Sequence, residues 1–240
     1  MRKQLLASPA TQHGPSHLTS MEKRAQSMKR LALVVGLLGG LLVVIFAVLT
    51  AVTASAQAMP ETKPAASPIT PELQRVRAAL EKYQDPVVAV RDGYLSTLAC
   101  INFPHESMPG HEPYPKGAMG VHLLNAQLVG PVLDPMKPPI LLYEPDASGK
   151  LRLTGAEWFV PLAIAKERPK LFNQDFLGPM EGHEPVMPAE LAHYDLHVWL
   201  FKNNPEGMFA PTNPAVKCTG YSYALDLDST RMVMVSSMKH

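Results

Sequence analysis

The sequence predicts an α+β fold: two N-terminal helices packed on a compact antiparallel β-sheet or small barrel, with Pro-rich loops. Two observations carry this. Helix start signals and one apolar stripe at helical spacing occupy the stretch from Thr70 to Arg91. From Gly93 onward, short apolar runs are bounded by Pro and Gly. After Ala56, 22 of 184 residues are proline, about 12 % against a usual ~5 %. That density excludes long helices and favours short strands between ordered loops.

The elements follow in chain order. Residues 1–30 form a polar, basic leader, with Lys29 and Arg30 at its end. Leu31–Val52 carries no charge, and Ala54-Ser55-Ala56 is an A-x-A cleavage pattern. Residues 31–56 therefore read as a signal peptide or a membrane anchor, since 22 apolar residues also suffice to span a bilayer. Met1 and Met28 are both candidate starts. The positive flank stays cytoplasmic and the rest is exported, periplasmic, secreted or anchored outside the cytoplasm. Residues 57–69, rich in Ala, Pro, Ser and Thr, read as a linker, and 70–240 as a single exported globular domain.

Thr70-Pro71-Glu72 opens the first predicted helix with an N-cap, a proline at the first helical position and an acidic first turn. Leu73, Val76 and Leu80 make its apolar stripe. Asp85-Pro86 opens a second helix, closed by Asp92-Gly93. Strands are predicted near Ala118–Asn125, Ile140–Tyr143, Leu151–Pro161, Tyr194–Phe201 and Arg231–Ser236. Asp146-Ala147-Ser148-Gly149 is a turn that makes the second and third a hairpin. Asn203–Pro214, NNPEGMFAPTNP, reads as a long ordered loop. Met108–Pro113, MPGHEP, is repeated as Met180–Pro185, MEGHEP.

Charge excludes one function class. Residues 1–56 hold six of the 22 Lys/Arg and one of the 21 Asp/Glu, which leaves 16 against 20. With no basic patch and no aromatic platform, nucleic acid is not a partner. Membrane contact is expected only through residues 31–52 if they stay uncleaved; a small ligand or an envelope partner remains. Cys100 and Cys218 are the two cysteines of an exported chain and are expected to pair. No C-x-x-C, G-x-S-x-G, Walker loop or G-x-G-x-x-G is present.

Histidine carries the remaining signal. Six His lie between His105 and His197. Glu112, Glu144, Glu157, Glu184 and Asp195 are carboxylates near them. Imidazole suits Zn and Cu, and thioether sulfur suits Cu(I). The candidate metal- or ligand-binding set is His122, His197, Glu144, Glu157 and His183. Trp199, Met119 and Asn125 are expected to line the pocket, with NNPEGMFAPTNP closing it. On a strand, His193, Asp195, His197 and Trp199 share one face. His193 and His197 are then about 13 Å apart at ~3.3 Å per residue and need partners from other strands. His197, beside Trp199, is expected to be desolvated and functional; His193, at the strand entry, is expected to see water. A Zn or Cu ion is the cofactor this chemistry would take, and no catalytic residue is assigned. The alternative is a non-catalytic structural or interaction module of the cell envelope.

Several segments also resemble a family of uncharacterised exported bacterial proteins: Asp92-Gly93-Tyr94, Gly117–His122, Leu141–Pro145, and His193–Cys218 with its LHVWL and NP-x-G-x-F elements. The resemblance spans roughly Tyr83–Cys218. It implies a bacterial, exported, single-domain protein and carries no activity, ligand or catalytic residue with it.

Overall fold

The computed structural model describes residues 69–235. The basic leader, the signal peptide or anchor and nearly all of the linker lie outside the described residues. Among the described residues, no helix is long and apolar enough to cross a membrane.

The fold is mostly β: a curled seven-stranded sheet, a half-barrel, with one full helix. The predicted pair of N-terminal helices is therefore reduced. Helix α1, Pro71–Leu80, has the predicted cap, with Thr70 Oγ1 accepting from the Leu73 N–H at 3.2 Å, and it buries Leu73, Val76 and Leu80. A 3-10 turn, Glu81–Gln84, follows. The second element, α2, is only Pro86–Arg91, less than two turns, and buries Ala89 alone. It is too short to form a layer of its own.

The main sheet contains β1 Leu95–Phe103, β2 Gly117–Leu124, β3 Ile140–Pro145, β4 Leu151–Pro161, β7 Leu177–Met180, β8 His193–Val198 and β9 Ala224–Asp226. A separate small hairpin is made by β5 Lys170–Leu171 and β6 Gln174–Asp175. The order is β7-β8-β4-β3-β2-β1-β9, antiparallel except for the parallel β1–β9 edge. Among the described residues, the named strands do not close the sheet into a barrel. The Asp146 turn joins β3 to β4: Asp146 Oδ1 accepts from the backbone N–H groups of Ser148 and Lys150.

Five strands escape the sequence reading, β1, β5, β6, β7 and β9, and two of them matter for the site. β1 has Leu98 at φ +66 and a register shift between Ser96 and Cys100, which breaks the alternation that marks a strand. β7 contains Gly178-Pro179, which argues against a strand except at a sheet edge, and an edge is where it lies. The predicted strand at Arg231–Ser236 is, in its described part, only isolated bridges, Arg231 to His111 and Met232 to Met180.

Those bridges show what the two similar loops do. Leu227 N–H donates to Asn102 O beside β9, Glu112 N–H to Thr230 O, Glu181 N–H to Arg231 O, and Val233 N–H to Pro179 O in β7. The segment after β9 thus runs from one sheet edge to the other. MPGHEP and MEGHEP both pair with it. The Cys100–Cys218 disulfide ties β1 to the chain ahead of β9, with 5.6 Å between Cα atoms.

Alternation gives the sheet two buried faces. On β4 and β8, Trp158, Val160, Tyr194, Leu196 and Val198 join one apolar core with Leu73, Val76 and Leu80 of α1. The Tyr143 hydroxyl donates to Tyr83 O and the Tyr94 hydroxyl to Pro138 O, so these two core phenols are satisfied. The other face carries Glu157, His193, Asp195 and His197.

Candidate metal centre

β4 and β8 pair antiparallel with Glu157 directly opposite His197 and Phe159 opposite Asp195. In such a pair, opposite side chains project to the same face about 5 Å apart. β2 adds His122 from two strands away. Gly120 makes this possible: it has φ +88, and a Cβ there would lie 2.2 Å from Tyr143 O. Only glycine lets β2 pass β3 so closely before His122 turns inward.

His122 Nε2 lies 3.3 Å and His197 Nε2 3.5 Å from the same atom, Glu157 Oε2. The next contact along β8 is His197 Nδ1 to Asp195 Oδ1 at 3.7 Å, followed by Asp195 Oδ2 to His193 Nε2 at 3.7 Å. His183 closes the row, its ring centroid 5.4 Å from that of His193. It enters from the loop after β7, where Gly182 packs so tightly that a Cβ would fall 1.9 Å from Pro188 O. All six side chains are buried, His193 completely. His122, Glu157 and His197 form one group with ligand atoms mutually within 4.8 Å, and His183, His193 and Asp195 form another.

Most of these polar atoms have no hydrogen bond. His122 Nδ1, Glu157 Oε2, His183 Nδ1, His193 Nε2, both Asp195 oxygens and both His197 nitrogens are buried and unpartnered. An unsatisfied buried polar atom costs about 1–3 kcal/mol. Eight of them would rival the whole net stability of a domain, about 5–15 kcal/mol. A structural histidine normally satisfies its nitrogens; these are arranged around one another instead.

The charges are set by burial and by mutual attraction. Burial pulls His197 toward its neutral form, but the Glu157 and Asp195 carboxylates outweigh it and raise its pKa. Burial likewise opposes ionisation of Glu157, yet His197 and then His122 hold its carboxyl below the usual range. Asp195 is buried as well, and the His193 and His197 rings hold it well below the ordinary carboxylate value. His183 is lowered to about 3 by burial first and by His193 next, so its ring is neutral. Two anionic carboxylates among imidazoles are an environment that attracts a cation.

A cavity of about 420 Å³ opens onto the row. Its walls are mainly apolar, among them Ile101, Met119, Leu124, Val129, Ile140 and Leu191, and its polar groups include His122, Glu157, His183, Asp195 and His197. Mostly apolar walls with a few convergent polar groups are the usual make-up of a small-molecule site.

The predicted site residues divide accordingly. His122, His197, Glu157 and His183 come together, and Met119 lines the cavity. Glu144 does not join them: it accepts from Lys202 Nζ at 2.6 Å and from the Lys217 N–H at 2.8 Å. Asn125 is a cap, its Oδ1 accepting from Gln127 N–H and its Nδ2 donating to Asp92 O. Trp199 stacks on His197 at 6.4 Å but is not among the cavity's lining residues; its Nε1–H donates to Ala210 O. No residue of Asn203–Pro214 lines the cavity either. That loop instead braces β2, through backbone pairing of Asn213 with Ala118.

The expectation that His193 sees water is overturned. β7 pairs outside β8, with Met180 opposite His193, and covers the strand entry. Asp195 and His193 are the residues the sequence reading undervalued. The signal was present in the period-2 pattern of HYDLHVWL, but the covering strand was not. No protein-family pattern, curated protein or solved structure matches the chain.

Proposed function

We propose that this is an exported metal-binding domain whose ion is held by His122 Nε2, His197 Nε2 and Glu157 Oε2, with its open positions facing the apolar cavity, where a small, mainly apolar ligand enters. The observation that supports the reading most is the pair of spacings to Glu157 Oε2, 3.3 and 3.5 Å, between atoms that are not hydrogen bonded in the usual geometry. Metal–nitrogen bonds of about 2.0–2.1 Å place tetrahedral ligands about 3.3–3.4 Å apart. Both nitrogens thus stand at about ligand spacing from the shared oxygen, and one ligand atom from each of the three residues lies within 4.8 Å of the others.

Two imidazoles and a carboxylate suit Zn or divalent Cu; without sulfur in the set, Cu(I) is disfavoured. Asp195 supports the same reading: its Oδ1 faces His197 Nδ1 at 3.7 Å, beyond a hydrogen bond but placed to accept one after a small shift of the ring. A ligating histidine commonly donates its other N–H to a carboxylate, which fixes the tautomer and raises ligand basicity. Three protein ligands leave a coordination position free for water or a ligand, the pattern of catalytic rather than structural sites. Elemental analysis of native protein should find a bound transition metal. His197→Ala should reduce the retained metal by at least tenfold, whereas Glu144→Gln should not. Native protein that carries no metal and takes up none on dialysis against Zn, Cu, Fe(II) or Mn would leave the envelope-module reading in its place.

A further inference from the structure

We propose that the centre holds a second ion, bound by His183, His193 and Asp195, and that Asp195 links the two sites. The inference rests on the metal-binding reading above and adds to it. It stands on three observations.

The first is a tautomer. His193 Nδ1 lies 3.1 Å from Leu191 O, a carbonyl that can only accept. Nδ1 therefore carries the proton. In the neutral ring, Nε2 is then a bare lone pair, and it faces Asp195 Oδ2 at 3.7 Å with no hydrogen bond on either atom. Two lone pairs facing each other in a buried site repel unless a cation stands between them. At 3.7 Å the pair is longer than a charge-assisted bond of about 2.7–2.9 Å, and so is the contact of the other Asp195 oxygen, Oδ1, with His197 Nδ1. The observed spacing is slightly wider than that of two ligands of one ion, since bonds of about 2.0–2.2 Å at tetrahedral angles give roughly 3.3–3.6 Å, and a small inward shift of either side chain closes the difference.

The second is His183. Its Nδ1 is buried and unpartnered, and one ligand atom from each of the three residues lies within 4.8 Å of the others. The ring is held rather than free. It stacks on Tyr114 at 6.1 Å and 21°, meets Phe103 edge-on, and hangs from the close-packed Gly182 backbone. The Leu191 carbonyl on His193 is itself the backbone partner that metal-ligating histidines usually have.

The third is the position of Asp195. Oδ1 faces His197 Nδ1 and Oδ2 faces His193 Nε2. One carboxylate thus orients a ligand of the first ion and ligates the second. A whole imidazole ring separates the two positions, so this is not the two-ion clamp of about 3.5–4 Å that brackets a single transferring group. The second ion borders the same cavity as the first and withdraws charge from the carboxylate that faces His197.

Zinc titration of chelator-stripped full-length protein, read by calorimetry and by elemental analysis after gel filtration, tests this. Wild type should bind two equivalents. His183→Gln and His193→Gln should each bind one, and His122→Gln should also bind one, the other ion in each case remaining. Asp195→Asn should lose the second equivalent and weaken the first by about 10–100-fold, the usual effect of removing a group that orients a ligand. Cobalt substitution supplies a readout that folding alone does not move: wild type should show two sets of visible bands, and His183→Gln should lack one. A single equivalent in wild type that His183→Gln and Asp195→Asn both retain at full affinity overturns the second site and leaves the first standing. No equivalents at all would remove both.

Discussion

The two faces of β4 and β8 are built from adjacent residues of the same strands, and they solve opposite problems. Toward α1, Trp158, Tyr194, Leu196 and Val198 pack into one apolar cluster. Toward the cavity, Glu157, His193, Asp195 and His197 are as deeply buried but leave most of their polar atoms unpartnered. A face that only had to support the fold would be more stable if filled with apolar residues, since buried ion groups are commonly neutral or worse beside well-packed hydrophobes. The comparison therefore separates a face that contributes stability from one whose buried polar groups cost it.

The comparison breaks if mutations on the two faces have the same consequences. The largest effect belongs to the apolar face. Trp158→Ala removes a fully buried side chain whose Nε1–H also donates to Asp134 O. It should destabilise by about 3–5 kcal/mol in denaturant unfolding, while the folded fraction keeps its metal. Loss of metal with unchanged stability would reverse the roles of the faces.

Next in size is removal of metal from wild type. At a free metal concentration of 100 times Kd, each bound ion contributes about 2.7 kcal/mol. At about 2–4 °C per kcal/mol for a domain of this size, a chelator should lower Tm by about 5–10 °C for each ion removed. The same chelator should leave the Tm of the His197→Ala, His183→Gln double variant unchanged.

The pH dependence sharpens the contrast. In metal-free protein His197 has a raised pKa beside Glu157. Its contribution is fully present below the unfolded histidine value, about 6.5, and is lost as pH rises through the raised folded value. Chelated protein should therefore lose stability above about pH 6.5. Metal binding must displace that proton, so the gain in Tm from added Zn should grow over the same window. A Zn effect independent of pH from 6 to 8 would count against His197 as a ligand.

The smallest effect is expected at Glu144. It is a carboxylate the sequence placed in the site, but it pairs with Lys202 near the surface. Glu144→Gln should cost about 1 kcal/mol or less and leave metal content as in wild type.

Much of this was legible without coordinates. The Thr70-Pro71 start and the Leu73, Val76, Leu80 stripe need only local capping and helical period, and both hold. The β3–β4 hairpin follows from a turn whose Asp146 side chain caps it within a few residues. The Cys100–Cys218 pair follows from an even cysteine count. What failed was non-local. Glu144 and Glu157 look alike in sequence, yet the register of β4 against β8 puts Glu157 opposite His197. Trp199 does stack on His197, but its Nε1–H turns to Ala210 O and the ring stays out of the cavity wall.

The sequence by itself determined which residues of HYDLHVWL share a face, because a strand's side chains alternate whatever lies around it. It also determined that imidazoles and carboxylates would be concentrated there. Only the tertiary structure decided that this face is buried. β7, a strand with a proline in it, pairs outside β8 and buries His193. The loop through Gly182 delivers His183 from beyond that strand. β2 brings His122 to Glu157 from the other side. Burial depends on what packs from elsewhere in the chain, and in this protein it is burial that turns a row of ordinary polar residues into a site with a claim on metal.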